Sequence, residues 1–304
     1  MVVLCLQWNL DGYFKRLHEL QNLIAELHPL IICLQETHLH PIHKVSLKNY
    51  TFFRHDYIDA KKACGGVAIL VHESITSQII ATKSSLQAIS VSVKLPALSK
   101  KPFSITSIYL PPHINVPTHS LQTLITQLPP PLLVCGDFNA HSQTWGSKRL
   151  NNRGNAVENL LLDNPNLTLI NTHRSPTHFC VANGSFSTID LTLCSTSLSP
   201  SLSWKTHTDL CDSNHYPIII CHDKIQQPNR QCTPKWILNK ADWPLFNNLT
   251  ANTDTLPTPS TIDQDITHFT EFITQAAEKA IPKTLPISKN QPVPWWSPEV
   301  KIAL

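Results

Sequence analysis

A chain of 304 residues with 41% hydrophobic and 15% charged residues is neither disordered nor supercharged, and it has enough apolar side chain for one large core with an appendage, or for two modest ones. The net charge of +3 is compatible with a nucleic-acid partner but too small to demand one, and the 16 His add charge only near or below neutral pH. The nine Cys include no Cys-x-x-Cys pair, which argues against zinc-ribbon and thioredoxin-type sites.

Cys5, Cys33, Cys135 and Cys194 lie in apolar runs, the setting of reduced, buried thiols in a reducing, intracellular compartment. The N-terminus lacks the basic lead of a signal peptide. No apolar run reaches the roughly 18 residues of a membrane span, so no membrane partner is expected.

In chain order, Val2–Gln7 reads as a buried strand ending in Trp8-Asn9. Leu17, Leu20, Ile24 and Leu27 recur at helical spacing, with Pro29 as a stop. Leu30–Leu34, Gly66–Val71, Ala88–Leu95, Ser104–Tyr109, Leu132–Cys135, Ile189–Cys194 and Pro217–Cys221 read as further strands, and Asn155–Leu162 as a helix. All seven Gly fall between Gly12 and Gly184, whereas the stretch after residue 225 has none and ten Pro. That shift divides the chain into a domain at 1–225 and a Pro-rich linker at 226–304. The linker carries one helix, with Ile262, Ile266, Phe269, Ile273 and Ala277 on one face. Strands and helices alternate early and short strands dominate later. The pattern suits a four-layer α/β sandwich, with two packed mixed β-sheets flanked by helices, followed by a Pro-rich, partly helical C-terminal tail.

Several apolar strands end in polar residues that pack poorly in a core: Asn9, Glu36, Tyr109, the quartet Gly136-Asp137-Phe138-Asn139, Asp190 and His215. Metal-assisted phosphodiester cleavage uses such groups. A hard divalent cation, Mg²⁺ or Mn²⁺, takes carboxylate oxygens. A second group orients the attacking water, and a cation or imidazole meets the charge that builds on phosphorus. Read singly, each residue has a plainer role. Glu36 caps a strand or pairs with Lys, GDFN is a turn, and His215 is a satisfied core histidine. Asp190 on an alternating strand is either paired or functional, since burying it alone is costly.

The order of the motifs carries more. WN, LQETHL, SIYLPP, GDFNAH, FSTIDLTL and SNHYPI follow one another over residues 3 to 222, and this series resembles that of the endonuclease/exonuclease/phosphatase superfamily. The spellings IICLQETHL and GDFNAHSQTWGS are similar to the non-LTR, jockey-like LINE retrotransposon branch. Pro294-Trp295-Trp296-Ser297-Pro298-Glu299 resembles the segment that joins the endonuclease to reverse transcriptase in those elements, so the chain reads as cut off before a polymerase. The resemblance implies a nicking endonuclease that acts on double-stranded chromosomal DNA, hence in the nucleus. The freed 3′-hydroxyl then primes copying of the element's RNA by the reverse transcriptase domain of the full-length protein. It also implies roles: Glu36 binds metal and Asn9 supports that metal site; Asp137 and Asn139 position the nucleophilic water; Tyr109 contacts the scissile phosphate; His215 is the catalytic imidazole; and Asp190 orients it. Ser187, three residues before Asp190, falls where relatives place a polar residue near the site.

The family usually reads Ser-Asp-His where this chain has Ser213-Asn214-His215. Asn keeps the shape and loses the charge, which implies lower metal affinity and activity unless Asp212 compensates across an extended segment. For DNA contacts, Arg153 is a candidate, with a solvated loop as the alternative. His178 is another, in the loop Ser175–Ser185, where relatives carry a hairpin that enters the groove. Two other readings fit the same residues: an abasic-site nuclease or other phosphoesterase of this fold, and an inactive fragment that only binds DNA.

Overall fold

The first apolar run forms β1 (Val2–Asn9), and the helical spacing after it forms α1 (Tyr13–Leu27), which buries Tyr13, Leu20 and Leu23. Next come β2 (Ile31–Gln35), β3 (Tyr50–His55), the short β4 (Ile58–Asp59) and β5 (Lys62–Ala63), β6 (Val67–His72), β7 (Thr76–Ile80), β8 (Gln87–Lys94) and β9 (Phe103–Tyr109). Helix α2 (Thr118–Thr126) leads to β10 (Leu132–Asp137) and α3 (Asn152–Asp163). After β11 (Leu167–Leu169) there is a hairpin of β12 (His178–Cys180) and β13 (Ser185–Ser187), then β14 (Asp190–Ser195), β15 (Leu202–Thr206) and β16 (Ile218–His222). The computed structural model describes residues 2–59, 62–96, 98–99, 101–114, 116–172, 175–222, 236–251 and 262–283. The chain divides into two units, Met1–Pro228 and Asn229–Leu304.

In the first unit two six-stranded sheets lie face to face, in the orders β15-β16-β1-β2-β6-β3 and β11-β14-β10-β9-β8-β7. Both are mixed. β1 pairs with β2 in parallel and with β16 antiparallel; β10 pairs with β9 in parallel and with β14 antiparallel. Between the sheets, Ile31, Val67, Ile69 and Ile220 of one meet Val91, Phe103, Ile105 and Leu133 of the other. The outer face of the first sheet is covered by α1 through Leu20 and Leu23, and that of the second by α2 and α3 through Leu121, Leu124, Val157 and Leu160. This is the expected four-layer sandwich, and each layer exists because its neighbour removes an apolar face from water. Cys5, Cys33, Cys135 and Cys194 are buried free thiols, as their apolar runs imply.

The expected strands and helices all form, with ends shifted by a few residues. The elements not anticipated are α2, β11, β15, the edge strands β3 and β7, and the short β4 and β5; the hairpin β12–β13 stands in the segment where the resemblance implies one. In β3 only Tyr50 is buried, and β7 has no buried residue, so neither shows the apolar alternation that marks a strand with one covered face. In the second unit the single expected helix, α5 (Ile262–Ala280), is joined by α4 (Trp243–Thr250). Asp242 caps α4 by accepting from the Leu245 N–H at 3.0 Å, and Pro244 sits in the first turn, where a proline is tolerated. The Pro294–Glu299 segment lies outside the described residues. No helix among the described residues is long and apolar enough to cross a membrane.

Gly136 lies at the centre of the second sheet, where β9 passes so close that a Cβ would stand 1.9 Å from the Ile108 carbonyl oxygen. Replacing it with alanine forces the two central strands apart. Gly136→Ala is expected to cost about 3 kcal/mol of stability, read as a lower urea midpoint; an unchanged midpoint would contradict this packing.

Candidate active site

Strand register brings the site's side chains into rows. On β14, β10 and β9, Asp190, Asp137 and Tyr109 are direct neighbours across the sheet. In the facing sheet, Asn9 at the end of β1 pairs with Gln35 at the end of β2, and Glu36 follows. The two rows meet across the sandwich. The Asn9 amide nitrogen donates to Glu36 Oε1 at 2.8 Å and to Asp137 Oδ2 at 3.0 Å. Buried amides reinforce this closure between the sheets: Gln7 Nε2 donates to the Gly136 carbonyl at 3.0 Å, and Gln35 Nε2 to Ser107 Oγ at 2.9 Å.

The backbone around the site is bent sharply. Asp11, Glu36, His38 and Asn139 all have positive φ, between 45° and 50°. Non-glycine residues rarely take this conformation, and it concentrates at sites where the surrounding structure enforces it. Here the enforcing bonds are Gly12 N–H to the Glu36 carbonyl at 2.8 Å and His38 N–H to the Gly65 carbonyl at 2.8 Å. Asn139 is held by its own N–H to Asp137 Oδ1 at 2.9 Å and by its amide to the Leu110 carbonyl at 3.1 Å.

His215 is positioned from three sides. Its carbonyl accepts from the Trp8 indole at 2.9 Å, and its N–H donates to Ser213 Oγ at 3.1 Å; that hydroxyl donates to the Asn9 carbonyl at 2.8 Å. The Trp8-Asn9 dipeptide therefore anchors the loop that carries Ser213 and His215. The imidazole Nδ1 meets Asp190 Oδ2 at 2.8 Å, and Nε2 lies 3.9 Å from Asp137 Oδ2. Thr177 Oγ1 accepts the N–H groups of Ile189 and Asp190, both at 3.1 Å, and so fixes the start of β14.

The site's charges act on one another. Burial disfavours the His215 imidazolium, but the charge and hydrogen bond of Asp190, then the charges of Asp137 and Glu36, outweigh it and raise its pKa to about 9. Burial and the charge of Asp190 raise the Asp137 carboxyl to about 7 against the opposing pull of His215. Burial opposes ionisation of Glu36 as well, yet hydrogen bonds from His38 and Asn9 bring its pKa below the usual value. Tyr109 stays a protonated donor, because burial and then the charges of Glu36 and Asp137 push its phenol far up.

Seven of the expected residues thus come together: Asn9, Glu36, Tyr109, Asp137, Asn139, Asp190 and His215. Asn9 enters as a brace: its amide nitrogen serves two carboxylates and its oxygen accepts from the Asp11 N–H at 3.1 Å. Arg153 is not a DNA contact. It is 8% exposed, and its guanidinium is committed to the carbonyls of Leu110, Pro111 and Ile114, the loop that follows Tyr109. Asn214 is exposed and contributes its carbonyl, which accepts from the Phe179 N–H at 2.8 Å. Cys211 and Asp212 turn with positive φ, so the extended alternation that would let Asp212 stand in for Asn214 does not exist. Ser187 and His178 pair across the hairpin, with Ser187 Oγ 3.1 Å from His178 Nδ1 and the His178 ring against His215. Asp11 and His38 were not singled out from the sequence, yet their ligating atoms cluster with that of Glu36 within 4.8 Å; so do those of Asp137 and His215 with Glu36. Their only sequence signal was position, two residues after Asn9 and two after Glu36.

Residues 103–219 match a family described as endonuclease-reverse transcriptase. Over 278 residues the chain is 24% identical to a probable RNA-directed DNA polymerase from transposon X-element of Drosophila melanogaster; the match covers 90% of this chain and 30% of that protein. Among solved structures, the endonuclease domain of TRAS1, a telomere-specific non-LTR retrotransposon, superposes with a TM-score of 0.60 at 22% identity, covering 74% of this chain and 99% of that one. An AP endonuclease from Archaeoglobus fulgidus has a TM-score of 0.55 at 15% identity, covering 73% and 100%; likenesses at these identities speak for the fold. The chain is thus similar over residues 103–219 to endonuclease-reverse transcriptase proteins, and its first unit has the fold of the TRAS1 endonuclease domain and of the AP endonuclease.

Proposed function

We propose that the chain is a divalent-metal-dependent DNA endonuclease that nicks duplex chromosomal DNA in the nucleus and leaves a 3′-hydroxyl from which a reverse transcriptase copies the element's RNA. The observation that carries this reading is the convergence of the Asp190–His215 pair with the Asn9-braced carboxylates of Glu36 and Asp137. The exposed hairpin beside the site, with Phe186 57% and Val181 70% exposed, supports a duplex rather than a small phosphoester as substrate.

The donor set fits a hard cation. Glu36, Asp137 and Asp190 face one imidazole, so the carboxylates outnumber the positive charge, and the half-buried group of Asp11, Glu36 and His38 opens beside them. Glu36 and Asp11 would hold Mg²⁺ or Mn²⁺. Such a cation supplies polarisation of a phosphoryl oxygen and charge stabilisation at the leaving oxygen.

The chain's own groups do the rest. Asp137, with its proton affinity near neutrality, accepts the proton of the attacking water, and Asn139 beside it fixes that water's direction. Tyr109 donates its hydroxyl to the phosphate. His215, kept protonated by Asp190, turns Nε2 to a phosphoryl oxygen as negative charge develops there. Asn214 is exposed, so its missing charge is screened by solvent, and this supports an active site rather than a disarmed one.

Supercoiled-plasmid nicking tests the reading. Nicking with Mg²⁺ that stops in EDTA is expected, with losses of about 10²–10³-fold in Glu36→Ala, Asp137→Ala and His215→Ala. Undiminished nicking by His215→Ala would refute the assignment. Asn214→Asp is expected to change the rate less than about threefold; a large gain would restore to that position the electrostatic role its exposure denies. The pH profile follows from the two shifted groups. Activity rises as Asp137 deprotonates near 7 and falls as His215 deprotonates near 9. Asp190→Asn removes the charge that raises both, so both limbs should move to lower pH while the maximum drops about 10²-fold; a fixed alkaline limb would mean that Asp190 does not hold the His215 proton.

A further inference from the structure

The hairpin β12–β13 is bonded to the loop that bears His215. The Phe179 N–H donates to the Asn214 carbonyl and the Tyr216 N–H to the Thr177 carbonyl, both at 2.8 Å, so His178 and His215 are paired as in an antiparallel ladder. Their rings meet with centroids 4.6 Å apart and planes tilted by 54°, inside the range where aromatic faces attract. His178 opens β12 and Ser187 closes β13 opposite it, with Ser187 Oγ 3.1 Å from His178 Nδ1. The His178 ring thus lies against that of His215, while Asp190 takes the His215 Nδ1 edge. Burial and then the charge of His215 lower the His178 pKa to about 4, so a neutral ring faces the imidazolium and adds no repulsion.

We propose that His178 is a positioning residue: held by Ser187 at the base of the hairpin, its ring packs against His215 and keeps that imidazole in the single orientation with Nδ1 on Asp190 and Nε2 free for the phosphate. The hairpin then does two things at once. Its exposed tip, Val181 to Gly184, meets the duplex, and its base sets the catalytic histidine, so docking and catalytic geometry are joined through one pair of rings. This inference rests on the endonuclease reading above and assigns His178 a role that acts through His215 rather than through DNA.

The experiment uses the full chain with His178→Ala, His178→Leu and His178→Phe. Nicking of supercoiled plasmid is measured with Mg²⁺, and affinity for a short duplex in EDTA. The alanine and leucine variants should lose about tenfold in kcat with DNA affinity unchanged, because a reacting group has been freed to rotate; phenylalanine should restore most of that loss. The leucine variant, which fills the space without a ring, decides the matter if the alanine variant folds poorly. A phenylalanine variant as slow as leucine, or a loss of DNA affinity in place of kcat, overturns the proposal. If the unmodified chain nicks no DNA at all, the endonuclease reading fails, and NMR still tests the ring contact. A ring-current shift on the His215 carbon-bound protons should be present in the unmodified chain and His178→Phe and absent in His178→Leu; its absence from the unmodified chain overturns the proposal.

Discussion

The amide nitrogen of Asn9 holds one carboxylate from each sheet, Glu36 after β2 and Asp137 at the end of β10. Two negative groups approach this closely only where a donor stands between them and the rest of the fold resists their parting. That resistance comes from the apolar layer between the sheets and from the buried amides of Gln7 and Gln35, which tie one sheet to the backbone and hydroxyls of the other. The site is a seam. Its geometry is as rigid as the packing of two sheets, because its halves belong to different sheets.

The electrostatics follow from that seam. Asp137 and Asp190 are neighbours on adjacent strands, and burial makes their repulsion expensive. His215 relieves it from one side, and the pull of the carboxylates keeps the imidazole charged. The same arrangement leaves Asp137 with a proton affinity near neutrality. An acid and a base thus come from one cluster, their pKa values moved by each other and by burial rather than by separate devices.

Around the seam, the polar side chains support the loops that hold the site. Arg153 and Asn139 both donate to the Leu110 carbonyl, which steadies the segment after Tyr109. Trp8 and Ser213 fasten the loop of His215 to the end of β1. The bonds that Arg153, Asn139, Trp8 and Ser213 donate here matter because leaving a buried donor unpaired costs more than the bond itself contributes. They explain why the polar residues of WN and SNH sit together at strand ends although the chain separates them by some two hundred residues.

The amino-acid sequence by itself determined the strands and helices with strong apolar periodicity, the sandwich they form, and the residues Asn9, Glu36, Tyr109, Asp137, Asn139, Asp190 and His215. Each of these is a polar residue at the end of an apolar run, a local signal that needs no knowledge of the partner. Strands β3 and β7 were invisible because an edge strand, covered on few sides, has no apolar alternation to show. Only the tertiary structure decided that Arg153 is a buried clamp, that Asn214 is exposed, that Asp11 and His38 share the space of Glu36, and that His178 lies against the ring of His215. The physical reason is that the direction of an arginine, an asparagine or a histidine is set by hydrogen bonds to backbone brought from distant strands. No periodicity in the chain records those bonds.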